Sequence, residues 1–152
     1  MNLERYTLGF IPVDAPPARR RATAAAVTIV KGDALAWTSG TLTNAGVTFA
    51  ATFAGIAAAD CAASGTVEYY PVDTLTQYKV PVAANTVLVA VTHIGTNNDL
   101  STCATIAVND NPTEGFAFQI DDIDITADAI AANTYGYAIG HFRVIATQAG
   151  NS

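Results

Sequence analysis

The chain has 152 residues, which fits one domain with its own hydrophobic core, and its net charge of −6 argues against nucleic acid as its main partner, because phosphate contacts need lysine and arginine. Hydrophobic residues make up 51% of the chain and charged residues only 13%, about half of the roughly 25% that is usual in soluble domains. This charge deficit favours a surface covered by other protein chains over the surface of an ordinary small β domain.

The beginning of the chain differs in charge from the rest. Residues 1–22 hold four arginines and two acids, a net charge of +2, whereas the remainder holds three cations and eleven acids, a net charge of −8. We therefore predict an extended N-terminal arm over residues 1–24 and a single β domain over residues 25–152. No export signal is expected, because the first ten residues contain no long apolar run, and no stretch approaches the roughly 18 apolar residues of a membrane span.

The predicted arm combines apolar side chains with two adjacent prolines, Pro16 and Pro17, and three consecutive arginines near its end. Residues 6–13 are predicted to form a short edge strand, and the two prolines exclude a central strand because proline lacks a backbone N–H. One interpretation is a tether that crosses a neighbouring subunit and pairs with its carboxylates, and the other is a solvated terminus. The tether is favoured because burial of each large apolar side chain is worth roughly 1.5–3 kcal/mol. The residues assigned to this interface are Tyr6, Leu8, Phe10, Ile11, Pro16, Pro17, Arg19, Arg20 and Arg21.

Short strands separated by turn residues are predicted in the first half of the β domain. The segment is rich in Val, Ile, Thr, Tyr and Phe and is interrupted by glycine at five positions. The alanine-rich residues 56–63 are predicted as one or two helical turns or a buried connection. The predicted strands are residues 28–30, 34–38, 47–53 and 66–70.

The second half of the domain continues the β pattern. Residues 78–82 and 86–92 are predicted to pair as a hairpin, and the polar residues 94–100 to form a loop. Residues 128–133 are predicted as a short helix, and the long run 135–147 as a strand with a bend or bulge at its glycines. The further predicted strands are residues 103–108, 116–120 and 123–126. About eight to eleven short strands indicate an all-β fold, an antiparallel β-sandwich or a small β-barrel.

Acidic residues cluster near residue 120. A calcium site is one interpretation, but the spacing lacks the glycine and glutamate of an EF-hand loop. A solvated strand face, or an acceptor for the arginines of a neighbour, is the favoured alternative. The residues assigned as acceptor carboxylates are Asp121, Asp122 and Asp124, and no metal or cofactor is expected.

Side chains suited to catalysis are scattered along the sequence. His93 and His141 have apolar neighbours, and no serine lies in a Gly-x-Ser-x-Gly motif. Asp33, His93 and Ser101 form a conceivable triad, but structural histidines are favoured, and we expect no enzyme activity. Trp37 and the tyrosines are assigned to core or interface packing in preference to a sugar cleft. The two cysteines, Cys61 and Cys103, are expected to be reduced, with a disulfide as the alternative.

Five stretches carry a resemblance to a known family. The sequences VTIVKGDALAWTSG, FAGIAAADCAASGTVEYYPVD, QYKVPVAANT, VTHIGTNNDL and TYGYAIGHFRV resemble the small capsid-decoration, or cement, proteins of tailed bacteriophages. The likeness covers residues 25–145 and lies mostly in Gly, Ala and β-forming residues. It implies a β-barrel or β-sandwich body (β-tulip-like in one branch), small oligomers such as trimers on the outer capsid surface, and no catalytic role.

The resemblance sets the functional expectation. The chain is expected to bind the outside of a phage capsid and to stabilise the shell by bridging neighbouring major capsid subunits. Its expected partners are the major capsid protein and further copies of itself, as a homotrimer, without nucleic acid or membrane. The expected location is the outer capsid surface of the virion, with the host cytoplasm during assembly. The alternatives are another phage structural module, from a tail, collar or receptor-binding part, and a small β-barrel ligand-binding protein or enzyme.

Overall fold

The computed structural model describes residues 9–83, 87–108, 111–112 and 115–145. Its regular structure is almost entirely β, which confirms the predicted all-β class. The strands are β1 (Ile11–Pro12), β2 (Arg20–Thr23), β3 (Ala34–Thr38), β4 (Thr41–Asn44), β5 (Phe53–Ala57), β6 (Thr66–Pro71), β7 (Tyr78–Ala83), β8 (Asn97–Thr102), β9 (Thr105–Ala107), β10 (Gly115–Asp124) and β11 (Tyr137–Ile145). A turn of 3-10 helix at Val91–His93 and a short α-helix, α1 (Ala127–Ala132), interrupt them.

The strands form two sheets that pack together, as in a β-sandwich. The larger sheet has the order β1-β7-β11-β10-β8-β9, and β7 also pairs with β9 in parallel, which closes this sheet into a small barrel. The smaller sheet has the order β2-β6-β5-β3-β4. A bridge between Ala24 and Leu42 brings its first and last strands together. Apart from the β7–β9 pair and this bridge, the pairing in the described residues is antiparallel.

The larger core is built around a cluster of aromatic rings. The ring of Phe142 lies 4.8 to 5.5 Å from the ring centroids of Phe49, Phe53 and Phe118, in tilted and edge-to-face arrangements. Such pairs are each worth about 0.5–1.5 kcal/mol beyond their burial. The smaller core lies in the smaller sheet and contains mainly aliphatic side chains, among them Ile29, Leu35, Leu42 and Val67.

Strand β5 supplies side chains to both cores, and a bulge at Ala54 decides which side chain faces which core. The pairing of β3 with β5 passes from Leu35–Gly55 to Ala36–Phe53 and leaves Ala54 without an opposite residue. As a result, Phe53 belongs to the larger core and Ala54 to the smaller core. Gly55 has φ of 146°, and a Cβ added there would lie 1.9 Å from the carbonyl oxygen of Tyr70. Only glycine fits this position.

Around β5, the predicted strand over residues 47–53 is wrong. Of the two alternatives for residues 56–63, the helical turns are wrong, whereas a buried connection agrees with the burial of Ala58 and Cys61. Residues 47–53 do not form a strand, because the chain turns where the Phe53 N–H donates to the Ala50 carbonyl, at 3.0 Å. Residues 56–63 are not helical, since β5 extends through Ala57 and its backbone is used by neighbouring strands.

The predicted hairpin of residues 78–82 with 86–92 does not form in the described residues. Strand β7 pairs instead with β11 and β9, which lie far along the chain. Val91–His93 is a turn of 3-10 helix, and residues 84–86 lie outside the described residues. Residues 87–92 were predicted as a strand from their apolar sequence, and Val89 among them is indeed buried. The Val89 N–H donates to the Tyr135 carbonyl, however, and not to β7.

The predicted polar loop at residues 94–100 is also wrong, because β8 begins at Asn97. Asn98 and Asp99 are buried polar residues whose side chains are hydrogen-bonded within the protein. The Asn98 amide nitrogen donates to the Thr96 carbonyl at 3.1 Å, and an Asp99 carboxylate oxygen accepts from the Phe49 N–H at 2.8 Å. Because these hydrogen bonds replace those to water, polar side chains can be buried in a central strand at a small cost in folding free energy.

Towards the C-terminus the predictions are closer. Helix α1 confirms the short helix, and the Thr126 hydroxyl caps it by accepting from the Ala129 N–H at 3.3 Å. The predicted bulge is present, but the register shift lies on β10 at Asp121, opposite Gly140 of β11. No helix in the described residues is long and apolar enough to cross a membrane.

The described part of the predicted arm lies against the domain. Strand β1 pairs with β7 at the edge of the larger sheet, and β2 pairs with β6 in the smaller sheet. Phe10 is 1% exposed, and its ring packs in the aromatic cluster, 5.6 Å from those of Phe118 and Phe142. Tyr6 and Leu8 lie outside the described residues. In this structure, residues 9–24 therefore contribute to both sheets of their own chain.

Replacement of Phe10 by alanine tests this attachment. Loss of a buried phenylalanine leaves a cavity, and we expect the free energy of unfolding to fall by about 3–5 kcal/mol. The control is Val13→Ala, three residues away but 45% exposed, which should change it by less than about 0.5 kcal/mol. Urea unfolding of both variants measures the difference, and equal stabilities would show that the N-terminal segment is not part of the core.

Candidate functional site

Two of the three consecutive arginines at positions 19–21 are paired within the chain. Strand β2 places Arg21 directly opposite Glu68 of β6. Arg21 and Arg19, the residue just before β2, bind the two oxygens of this one carboxylate, at 3.1 and 3.2 Å. The Arg19 guanidinium also lies 5.6 Å from the centroid of the Tyr70 ring. The arginine side chains are more than half exposed, so each pair contributes at most about 1 kcal/mol.

Arg20 points to the opposite face of β2. Its neighbour across the strands is Tyr69, whose ring meets that of Trp37 edge to face at 6.1 Å. Arg20 is exposed and has no hydrogen bond or ion pair within the described part of the chain. Trp37 is 40% exposed at the rim of the smaller core. The exposed side chains at this rim are therefore a cation and an aromatic ring.

The predicted acceptor carboxylates differ in their availability. Asp121 accepts from the Gln77 amide at 3.1 Å and lies 2.8 Å from His141 Nδ1. Asp124 binds the Lys79 ammonium at 2.6 Å, with both side chains nearly nine-tenths buried. Asp122 is the exposed member of the set, and within the described residues its carboxylate accepts only from the N–H of Ile123. The structure thus leaves Asp122 exposed on the surface and engages Asp121 and Asp124 within the chain.

The Lys79–Asp124 pair links β7 to the end of β10. Burial of the Asp124 carboxyl raises its pKa, but hydrogen bonds from Lys79 and from the backbone and hydroxyl of Thr126 outweigh burial and lower the pKa to about 2. The Lys79 ammonium also lies 5.4 Å from the centroid of the Tyr137 ring on β11. The pair therefore ties three elements of the larger sheet together.

The candidate triad residues have structural partners. Asp33 is buried and accepts from the Val30 N–H at 2.9 Å, and burial raises the pKa of its carboxyl. His93 Nδ1 accepts from the Ala90 N–H at 2.9 Å, which fixes the 3-10 turn. Within the described residues, no three His, Cys, Asp or Glu side chains converge as a metal site.

The two cysteines are free thiols. Cys61 is buried and Cys103 is half-buried. Burial, followed by the charge and hydrogen bond of Asp33, raises the pKa of the Cys103 thiol to about 11. The thiol is therefore a weak nucleophile at neutral pH.

Large apolar side chains stand out on the surface. Leu75 is 86% exposed and Val91 is 70% exposed, and eight other large apolar side chains in the described residues are at least 40% exposed. Three of the ten lie in the segment of residues 87–95 around the 3-10 turn. The full set is Val13, Val30, Trp37, Val47, Leu75, Leu88, Val91, Ile94, Ile125 and Val144.

A cleft of about 470 Å³ lies at the start of β8. The described residues that line it are Thr96, Asn97, Asn98 and Asn111. Sequence analysis assigned three of these residues to a featureless polar loop and therefore missed the cleft. A signal was present in the run Thr-Asn-Asn, which concentrates side-chain donors and acceptors in three consecutive positions.

Comparison with known proteins gives no family. No protein-family model matches the chain, and no curated protein matches it either. The functional argument therefore depends on the sequence resemblance and on the surface just described.

Substitution of Asp124 tests the ion pair through its pH dependence. Because the folded pKa of Asp124 lies below the ordinary aspartate value of 3.8, the carboxylate stabilises the fold above that pH and loses its contribution as the pH falls towards 2. Asp124→Asn should lower the free energy of unfolding by about 2 kcal/mol at neutral pH, and the loss should shrink below about pH 4. Urea unfolding across pH measures it.

The matched control is Asp122→Asn, which removes a carboxylate two residues away from an exposed position. We expect it to change stability at neutral pH by less than about 0.5 kcal/mol. A loss for Asp124→Asn that stays constant down to pH 2 would mean that the pair does not depress this pKa.

Proposed function

We propose that this chain is a structural, non-enzymatic protein of a bacteriophage virion, which binds the outside of the capsid and stabilises the shell. The observation that carries the proposal is the exposure of large apolar side chains, with Leu75 and Val91 as the extremes, on a chain with only 13% charged residues. The sequence resemblance to capsid-decoration proteins supports the same conclusion.

The exposed apolar side chains favour contact with another protein. Each large apolar side chain gains roughly 1.5–3 kcal/mol when it moves from water into a protein interface. A surface with few charges also loses little hydration free energy when it is covered, because few ions must be desolvated. Contact with another protein is therefore favoured by this surface.

The proposed mechanism is mechanical. The chain bridges neighbouring major capsid proteins, and it binds the assembled shell but not the dissociated subunits. Such binding shifts the equilibrium towards the shell by mass action. Assembly of copies as a homotrimer multiplies weak contacts through effective concentration. The proposed location is the outer capsid surface of the virion, with the host cytoplasm during assembly, and neither membrane nor nucleic acid is a proposed partner.

The N-terminal segment contributes to the proposed contact through its exposed members. The Phe10 side chain is buried in the larger core, and Arg19 and Arg21 form ion pairs with Glu68. Arg20, which lies opposite Tyr69 on the neighbouring strand, remains for a carboxylate of a neighbouring protein. A contact made by a residue of a paired strand needs less ordering on binding than one made by a solvated arm.

Co-sedimentation tests the proposal. Purified protein is mixed with capsids of the phage that encodes it, after removal of the resident copies, and separately with dissociated capsid subunits. We expect the protein to pellet with the capsids, to saturate at a fixed ratio, and to remain in the supernatant with the subunits. Failure to pellet with capsids of the encoding phage would overturn the proposal.

Replacement of Arg20 tests its contribution to capsid binding. Arg20→Gln should weaken the binding by about two- to fivefold and make it less sensitive to salt, as for an exposed charge pair. Arg21→Gln is the matched control, since it removes the same charge one residue away from a side chain that is already paired. Equal effects of the two variants would show that only the overall charge matters.

A further inference from the structure

Leu75 is the most exposed large apolar side chain in the described residues, at 86%. It lies in the connection between β6 and β7, residues 72–77. One oxygen of the Asp73 carboxylate accepts from the N–H groups of Leu75 and Thr76, at 3.1 and 2.9 Å. The other oxygen accepts from the Thr76 hydroxyl at 2.8 Å, and Thr76 is only 4% exposed. These bonds fix the turn that presents Leu75 to solvent.

The end of this turn is attached to two further elements through Gln77. The Gln77 N–H donates to the Asp14 carboxylate at 3.3 Å, and its carbonyl accepts from the Val13 N–H at 3.0 Å. Its side-chain amide donates to the Asp121 carboxylate of β10 at 3.1 Å. A side chain on a turn held in this way loses less conformational entropy on binding than one on a mobile loop. Leu75 is therefore suited to enter an apolar pocket of another protein.

The same hydrogen bonds gather negative charge beside Leu75. The three acids that bind residues 75–77 are Asp14, Asp73 and Asp121. The chain on either side of these contacts, residues 10–18 and 71–78, contains no lysine or arginine. A pocket that receives Leu75 should therefore be apolar at its centre and carry lysine or arginine at its rim.

The cations nearest to this turn in the fold are bound within the chain. Asp121 lies 2.8 Å from His141 Nδ1, which is a single contact shared with the Gln77 amide. The Lys79 ammonium, at the start of β7, binds Asp124 at 2.6 Å. The charge that complements the acids beside Leu75 must then come from a partner.

This charge pattern selects the partner. A second copy of this chain is a poor match, because it carries the same net charge of −6. The lysine and arginine side chains without an ion pair in the described residues are only Arg20, Lys31 and Arg143. We propose that Leu75 is the anchor with which the chain docks into an apolar, cation-rimmed pocket of the major capsid protein. This inference rests on the proposed capsid binding and assigns the contact that makes it.

Truncation of Leu75 tests the anchor in the co-sedimentation experiment with capsids of the encoding phage. Leu75→Ala should weaken the binding by about ten- to fiftyfold, the effect of withdrawing three carbon atoms from an apolar pocket. Its urea midpoint should equal that of the wild type, because the side chain is exposed. Leu88→Ala is the matched control, the same truncation at a leucine that is 45% exposed in a segment without acids, and it should change binding by less than about twofold.

Removal of one acid tests the cationic rim. Asp14→Asn keeps an oxygen that can accept from the Gln77 N–H, but it removes the charge, so capsid binding should weaken by about two- to fivefold and become less sensitive to salt. Asp60→Asn is the matched control, since Asp60 is also exposed and also accepts from one backbone N–H, that of Lys31, at 2.8 Å. An equal loss in both variants would contradict a cationic rim at this pocket.

The outcomes separate the anchor from capsid binding itself. If the wild type and Leu75→Ala pellet with equal affinity, the anchor is wrong and capsid binding stands. If the wild type does not pellet, both proposals are wrong. Sedimentation equilibrium without capsids completes the test, because a smaller oligomer for Leu75→Ala than for the wild type would assign Leu75 to a contact between copies and overturn the anchor.

Discussion

The fold depends on strand β5, whose side chains enter both cores. Strand β5 lies between β3 and β6 in the smaller sheet, and all its residues are buried. An unbulged strand would alternate strictly between two faces. The bulge at Ala54 breaks this alternation and allows Phe53 and Ile56 to reach the larger core while Ala54 and Ala57 face the smaller one. The two sheets therefore share part of their hydrophobic stabilisation.

This arrangement also restricts the neighbours of β5. Gly55 lies so close to the backbone of β6 that any Cβ would overlap the Tyr70 carbonyl oxygen. The close approach leaves Tyr70 in the larger core and Tyr69 in the smaller core, so β6 repeats the division of side chains seen in β5. One glycine without a side chain thus sets the distance between two strands that both cores require.

The N-terminal segment joins the two sheets from outside. Strand β1 lies on the larger sheet and β2 on the smaller one, with the prolines between them. Proline has little conformational freedom to lose, so a fixed crossing of this kind costs less entropy than one made by flexible residues. The segment holds the sheets together and presents its remaining cation, Arg20, from a fixed position. A fixed position suits a protein whose proposed role is to bridge neighbouring subunits.

The sequence was sufficient to predict the fold class, the helix α1 and most strands with aromatic or β-branched residues, because these depend on local pattern. The sequence was not sufficient to predict β8, because the polar residues Asn98 and Asp99 are typical of a loop. Their burial depends on hydrogen bonds to Phe49 and Phe118, which are distant in sequence. The partners of β7 were missed for the same reason. Proximity along the chain favoured a hairpin with the next segment, whereas β7 pairs with β11 and β9 in the closed sheet.

The candidate site was less predictable than the fold, because its properties depend on which charged side chains are already paired within the chain. The sequence shows few charges, and the structure shows that many of these are engaged within the chain. Asp99 binds backbone N–H groups, Lys79 and Asp124 bind each other, and Glu68 holds two arginines. Each internal bond removes a charge from the set that keeps a surface hydrated. The surface therefore has fewer unpaired charges than the composition alone suggests, while Leu75, Val91 and Val144 remain in water. A surface of this kind is costly for a solitary molecule, and the cost disappears when a second protein covers it.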